Sequence, residues 1–174
     1  NVAVALKVCE LSGVDTEIAL NGMVQVKPDP GATIIWKLKI SKIYNYFVNL
    51  LAANDPSSTY NIYQQLMSHV GNAPVCIFLN TRKDRLYRTH QLIDLVFNKI
   101  KPDMLIIRGD NTPNELNEYI KDNPQIIVHQ FSFVSTKEEI IQEFAKLEEY
   151  YIVGIGNMVG WGEDFVRYLK RYSL

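Results

Sequence analysis

Cysteine is scarce in this chain: only Cys9 and Cys76 in 174 residues. Both stand inside apolar stretches, where a thiol behaves as a small hydrophobe. Two such residues exclude a disulfide framework and a zinc site, and they fit reduced, cytosolic packing positions. Long apolar runs are lacking too. "VCIFL" and "MLII" are far too short to cross a bilayer, and no signal-peptide pattern opens the chain. Charge of one sign is also missing, since the formal net charge is -1. Without a basic stripe interleaved with aromatics, nucleic acid has no electrostatic footprint and is not an expected partner.

Familiar catalytic signatures are absent as well. No G-x-x-x-x-G-K-[ST] loop offers a cradle for ATP phosphates, and no G-x-S-x-G turn presents a nucleophile. His69, His90 and His129 lack metal-ligand spacing and read as structural or surface residues, so no metal site is expected. The sequence holds no internal repeat and no low-complexity tract.

What is present is a regular alternation. Apolar residues make up 47% of the chain, enough for the core of one ordinary domain. From residue 44 onward the pattern apolar run, polar loop, amphipathic segment repeats. The runs are "YFVNLL" (46–51), "VCIFL" (75–79), "MLIIR" (104–108), "IIVHQF" (126–131) and "YYIVGI" (150–155). Each is short and rich in Val, Ile, Phe and Tyr, as buried strands require. Between them, Leu92, Val96 and Ile100, or Ile140, Ile141, Phe144 and Leu147, recur at helical spacing. This is an α/β pattern, with a mainly parallel sheet of about six strands and helices on both faces. "ATIIWKLKI" (32–40) reads as a strand pairing antiparallel with 46–51 at a sheet edge.

The first 27 residues differ. "NVAVALKVCELSG" and "DTEIALNGM" predict two short helices, the first ended by Gly13, the second capped by Asp15 with Glu17 just inside. "KPDPG" (27–31) follows, and its Pro28, Pro30 and Gly31 make a stiff, helix-free joint. The expectation is a fragment: the tail of one domain (1–27), a hinge (28–31) and an α/β domain (32–174).

In such sheets ligands bind beyond the carboxyl ends of the strands, where loops enter helices. "AANDPSST" (52–59) offers Asn54 and Asp55 as caps, Pro56 for the first helical turn, and the hydroxyls of Ser57, Ser58 and Thr59 beside free N–H groups. Plain capping is the ordinary alternative, though a cap needs only one such side chain. "NTRKDRLYRT" (80–89) gathers Asn80, Arg82, Lys83, Arg85 and Arg88 around Asp84. Guanidinium forks bind carboxylates bidentately, so this loop suits a dicarboxylic acid, with a solvated charged loop as the alternative. "RGDNT" (108–112) reads as a turn, with Gly109 and Thr112 as turn and cap residues. "GIGNMVGWG" (154–162) brings Gly154, Gly156, Asn157 and Gly160 to a strand-to-helix loop. Its spacing is one residue longer than the dinucleotide fingerprint, and no second strand follows to carry the ribose-binding acid. An anion or carbonyl-bearing ligand at a helix N-terminus stays open.

With "PDPGA", "FVN..AANDPSST.NI", "N.R.DR..RT" and "GIGN..G.G" in this order, the chain resembles the C-terminal part of the capsule-type poly-γ-glutamate synthases. These are amide ligases of the Mur-ligase superfamily, and the likeness runs from Asn1 to the end. It departs at Ile34, where the family carries an arginine able to reach the nucleotide, and before "AAND", where a glycine–aromatic pair is expected. The resemblance implies a Rossmann-like three-layer domain behind an upstream ATPase region, whose last helices are residues 1–27. It implies ATP and Mg bound mainly by that upstream region, and an acyl-phosphate intermediate joined to glutamate through the γ-carboxyl. Arg82 and Arg85, with Asn80 and Arg88, would hold glutamate carboxylates. Asn54, Asp55, Ser57 and Ser58 would lie on the phosphate side, and the 154–160 loop would shape the far wall. No catalytic residue is expected in the fragment, which alone would be inactive. The implied partners are glutamate, a growing γ-glutamyl chain, the upstream domain and membrane subunits of a synthase complex, at the inner face of the cell membrane. The alternative from another class is a non-catalytic module that binds a small anion or a partner protein.

Overall fold

The computed structural model describes residues 2–26, 32–53, 55–109 and 112–174. The hinge positions Pro28, Pro30 and Gly31, and the cap candidate Asn54, lie outside the described residues.

Two helices come first, α1 (Val2–Leu11) and α2 (Thr16–Gln25). Gly13, at φ +76°, turns the chain after α1. The Asp15 carboxylate accepts from the Glu17 and Ile18 amides and so caps α2, as the sequence predicts. Then β1 (Ile35–Ile40) and β2 (Ile43–Asn49) form an antiparallel hairpin, with Ile35 opposite Val48 and Ile40 opposite Ile43. β2 therefore begins earlier than the apolar run at 46–51 suggests. Ser41, at φ 57°, allows so tight a reversal.

The remaining elements alternate: α3 (Pro56–Val70), β3 (Val75–Asn80), α4 (Leu86–Leu95), β4 (Met104–Arg108), α5 (Leu116–Asp122), β5 (Ile127–Phe131), α6 (Lys137–Phe144), β6 (Tyr151–Gly156) and α7 (Trp161–Leu169). A single 3₁₀ turn, Lys83–Arg85, precedes α4, and a wider π turn, Val96–Ile100, extends it. That extension buries Val96, Phe97 and Ile100 together, which explains the helical spacing running past residue 95. Thr112 does not cap α5, which starts at Leu116 after a Pro113 turn and lacks a side-chain cap.

The six strands lie in the order β1-β2-β6-β3-β4-β5. All pairs except β1–β2 are parallel. Alternate strand residues point to opposite faces, and each face carries its own core. Val48, Ile77, Leu79, Leu105, Ile107 and Val153 pack with Leu66 of α3, Leu92 and Ile93 of α4 and Leu116 of α5. Phe47, Phe78, Ile106 and Ile152 pack with Ile140 and Phe144 of α6 and Phe165 and Leu169 of α7. The result is the three-layer α/β/α domain read from the sequence. Buried Asn45 joins the layers: its Nδ2 donates to the Phe144 and Leu147 carbonyls at 3.0 and 2.8 Å, and its Oδ1 accepts from Tyr150 N at 2.9 Å.

One consequence positions the site. The last strand, β6, sits between β2 and β3, and its helix goes to one face while those after β2 and β3 go to the other. Loops that part in this way open a crevice at the carboxyl edge of the sheet.

Candidate functional site at the carboxyl edge of the sheet

A cleft of about 660 Å³ opens at that edge. Asn80, Thr81, Arg82 and Lys83 line it from the end of β3, Arg108 and Gly109 from β4, Phe133 from beyond β5, and Asn157, Val159 and Trp161 from beyond β6. The volume lies in the ordinary range for small-molecule sites.

Its floor is a polar network. Asn80 is buried; its Nδ2 donates to the Asn157 carbonyl at 2.7 Å, and its carbonyl accepts from Asn157 N at 2.8 Å. Arg108 donates from one terminal nitrogen to Asn80 Oδ1 at 3.3 Å, from Nε to the Ser135 carbonyl at 3.4 Å, and from the other terminal nitrogen to the Phe133 carbonyl. The guanidinium carbon lies 3.8 Å from the centre of the Trp161 ring, a cation–π stack. Trp161 in turn stacks on Phe165 at 4.7 Å. Arg82 binds Asp84 through its Nε and one terminal nitrogen, and its other terminal nitrogen reaches Asn157 Oδ1 at 3.4 Å. The hydrogen bonds from Arg82 hold the Asp84 carboxyl at about 2, well below the usual carboxylate range.

The glycines of "GIGNMVGWG" serve close packing. Gly154 and Gly156 both belong to β6 and not to the loop, and a Cβ at Gly154 would meet Phe47 Cζ at 2.7 Å. Gly156 has φ +104°, and a Cβ would fall 2.4 Å from the Asn80 carbonyl oxygen. Bare backbone at Gly156 thus admits the β3 end, not a ligand. Gly160 occupies the cap position of α7 with open space around it.

The other predicted residues that are described do not line the cleft. Arg85 and Arg88 border an adjoining recess of about 10 Å³ on the α4 side, which shares Asn80, Arg82 and Asn157 with the cleft. That is room for about one water and too little for a carboxylic acid. Arg88 donates to the Ala53 carbonyl, while its Nε has no hydrogen-bond partner among the described residues. Burial, then the nearby Arg85 charge, pull the Arg88 pKa down. Asp55 caps α3: its carboxylate accepts from Ser58 N at 2.8 Å and from Ser58 Oγ at 2.7 Å, and both bonds lower its pKa. Thr59 Oγ1 donates to the Asp55 carbonyl at 2.9 Å. Local capping accounts for these groups, whereas Ser57 is exposed. The bond from Arg88 to Ala53 places this turn on the same sheet edge as the arginines.

Sequence reasoning missed Arg108, Phe133 and Trp161. A signal existed for the first: Arg108 closes "MLIIR", a strand buried at every position. A charged residue ending such a strand needs dedicated partners. Among the described residues, no group of three His, Cys, Asp or Glu side chains could hold a metal ion.

Comparison with known proteins now decides the family. A family model described as the poly-gamma-glutamate synthase CapB C-terminal domain matches residues 36–172. The chain belongs to this family. It is 32% identical over 177 residues to the PGA synthase CapB of Bacillus subtilis (strain 168), covering 100% of the chain and 45% of that relative. It is 34% identical over 169 residues to the capsule biosynthesis protein CapB of Bacillus anthracis, covering 95% of the chain and 36% of that relative. The chain thus spans less than half the length of these CapB relatives. Among solved structures, a folylpolyglutamate synthase from Thermotoga maritima has a TM-score of 0.61 at 15% identity, covering 95% of the chain and 37% of that protein. MurF from Acinetobacter baumannii has a TM-score of 0.57 at 15% identity, covering 91% and 34%. At such identities the likeness is one of fold.

Proposed function

We propose that this CapB-family chain is the glutamate-positioning domain of an ATP-dependent amide ligase that makes poly-γ-glutamate. The observation carrying this reading is the two-sided cleft. Arg82 and Lys83 give it a cationic wall, and Phe133, Val159 and Trp161 give it an apolar one. Glutamate has the matching parts: carboxylates for charge-assisted hydrogen bonds and an aliphatic stem for the apolar wall. Held so, its amine would face the open mouth and attack an acyl phosphate on the partner γ-carboxyl. The C–N bond forms, phosphate leaves and the amine loses a proton. The domain's own contribution is orientation, which turns a bimolecular encounter into a unimolecular step.

In this reading magnesium and the triphosphate are held mainly by the remainder of the ligase, in keeping with the capping role of Asp55 and Ser58 here. The N-terminal helices α1 and α2 would lie at the boundary with that remainder. In support, α1 buries none of its residues and α2 only Ala19. Contacts with membrane subunits belong in this reading to the full-length ligase; among the described residues no helix is long and apolar enough to cross a membrane.

The test is steady-state kinetics of the full-length ligase. Arg82→Ala should raise the KM for glutamate about tenfold or more by loss of a charge-assisted bond, with the KM for ATP unchanged. Arg85→Ala, outside the cleft, should change it far less. An unaltered glutamate KM in Arg82→Ala would remove the cationic wall from substrate binding.

A further inference from the structure

Resting on the glutamate-positioning reading, we infer that Arg108 is a positioning and specificity residue, acting through the walls of the cleft that it holds together. Its guanidinium joins three separate segments. It donates to Asn80 Oδ1 at the end of β3, it donates to the Phe133 and Ser135 carbonyls in the β5–α6 loop, and it stacks on Trp161 at the start of α7. The residue is only 6% exposed, so these are interior bonds and weakly screened.

The β5–α6 loop is where the clamp matters most. Val134 N bonds Ser132 Oγ at 3.2 Å and Ser135 N bonds the Ser132 carbonyl at 3.1 Å, so those bonds shape the loop only locally. Arg108 supplies bonds from the loop to the sheet. Phe133 is 61% exposed, as is Val159, which also lines the cleft. An apolar side chain held out in water keeps its place through its backbone, and here the backbone is held by Arg108. The distance from this apolar lip to Arg82 and Lys83 then sets the length of stem that fits between acid head and lip. A clamp of this kind selects glutamate over aspartate, its homologue shorter by one methylene, a difference that shape alone resolves modestly.

The test is kinetics of the full-length ligase carrying Arg108→Lys. Lysine keeps the charge but cannot form the planar fork or the stack. The expected result is a rise in glutamate KM of about tenfold, an unchanged ATP KM, and a narrowed preference for glutamate over aspartate in kcat/KM. A purely structural role would lower all activities together and leave the preference intact, which overturns the inference. Should Arg108→Lys fail to fold, Phe133→Ala replaces it, since it removes the lip but leaves the guanidinium and its carbonyl acceptors. The same rise and the same narrowing are expected, and a wild-type glutamate KM in that variant overturns the inference. If Arg82→Ala raises the glutamate KM while these two variants do not, the glutamate site stands and the clamp falls. If all three are silent, both readings fall.

Discussion

Gly156 shows how one missing side chain holds two strand ends together. Its φ of +104° is unfavourable for an L side chain, and a Cβ would press against backbone, the Asn80 carbonyl oxygen at 2.4 Å. Backbone cannot swing aside as a flexible side chain would. Gly160 is a natural control, because its φ is +75° but nothing lies within 4 Å of its Cβ position. Gly160→Ala, at φ 75° and ψ -114°, should cost about 2 kcal/mol, from backbone strain alone. Gly156→Ala should cost about 3 kcal/mol, as the clash adds to strain, and it should also weaken the Asn80–Asn157 bonds that floor the cleft. Denaturant unfolding of the two variants measures the difference. Equal losses would mean that the end of β6 yields freely and does not define the site.

At the scale of elements, the two parts of the chain differ in how they are held. The sheet is buried between helices on both faces, and β3, β4 and most of β6 are fully enclosed. The N-terminal helices contribute almost nothing to that core, with Val4, Leu11, Ile18 and Val24 all exposed. Deleting residues 1–26 should therefore shift the thermal midpoint by no more than about 4 °C, the effect of about 1 kcal/mol in a domain of this size. Helical circular dichroism should fall by the share of α1 and α2. A larger drop in midpoint would show that these helices pack on the sheet. β6 makes the opposite case. It comes last in sequence yet pairs with both β2 and β3, so the centre of the sheet closes only through distant contacts, a topology that slows folding.

For the whole molecule, the proposed division of labour makes a direct prediction. The purified chain should neither hydrolyse ATP nor form glutamyl amides, because positioning a nucleophile is of no use without an activated carboxylate. Phosphate release and amide formation, each compared with a no-protein control, provide the check. Turnover that survives repurification and disappears in Arg82→Ala would place the phosphate chemistry within this chain.

Much of this architecture is local and therefore legible along the chain. Short β-branched runs mark the strands, Asp15 and Asp55 mark helix starts, and the Lys/Leu alternation of "WKLKI" marks a half-exposed edge strand. These depend on side-chain period and on hydrogen bonds to residues two to four positions away. The cluster of hydroxyls after "AAND" resolves the same way, with Ser58 and Thr59 bonding back to Asp55. What periodicity does not encode is strand order, since any buried strand can pair with any other. Only tertiary structure inserts β6 between β2 and β3 and so brings Asn157 to Asn80. Tertiary structure also distributes the arginines of one loop, with Arg82 bordering both the cleft and the adjoining recess, and Arg85 and Arg88 only the recess. It makes Arg108, which reads as the last residue of a core strand, the point where three segments meet. A guanidinium's role depends on which carbonyls and rings come within its reach, and those lie 25 to 53 residues further along the chain.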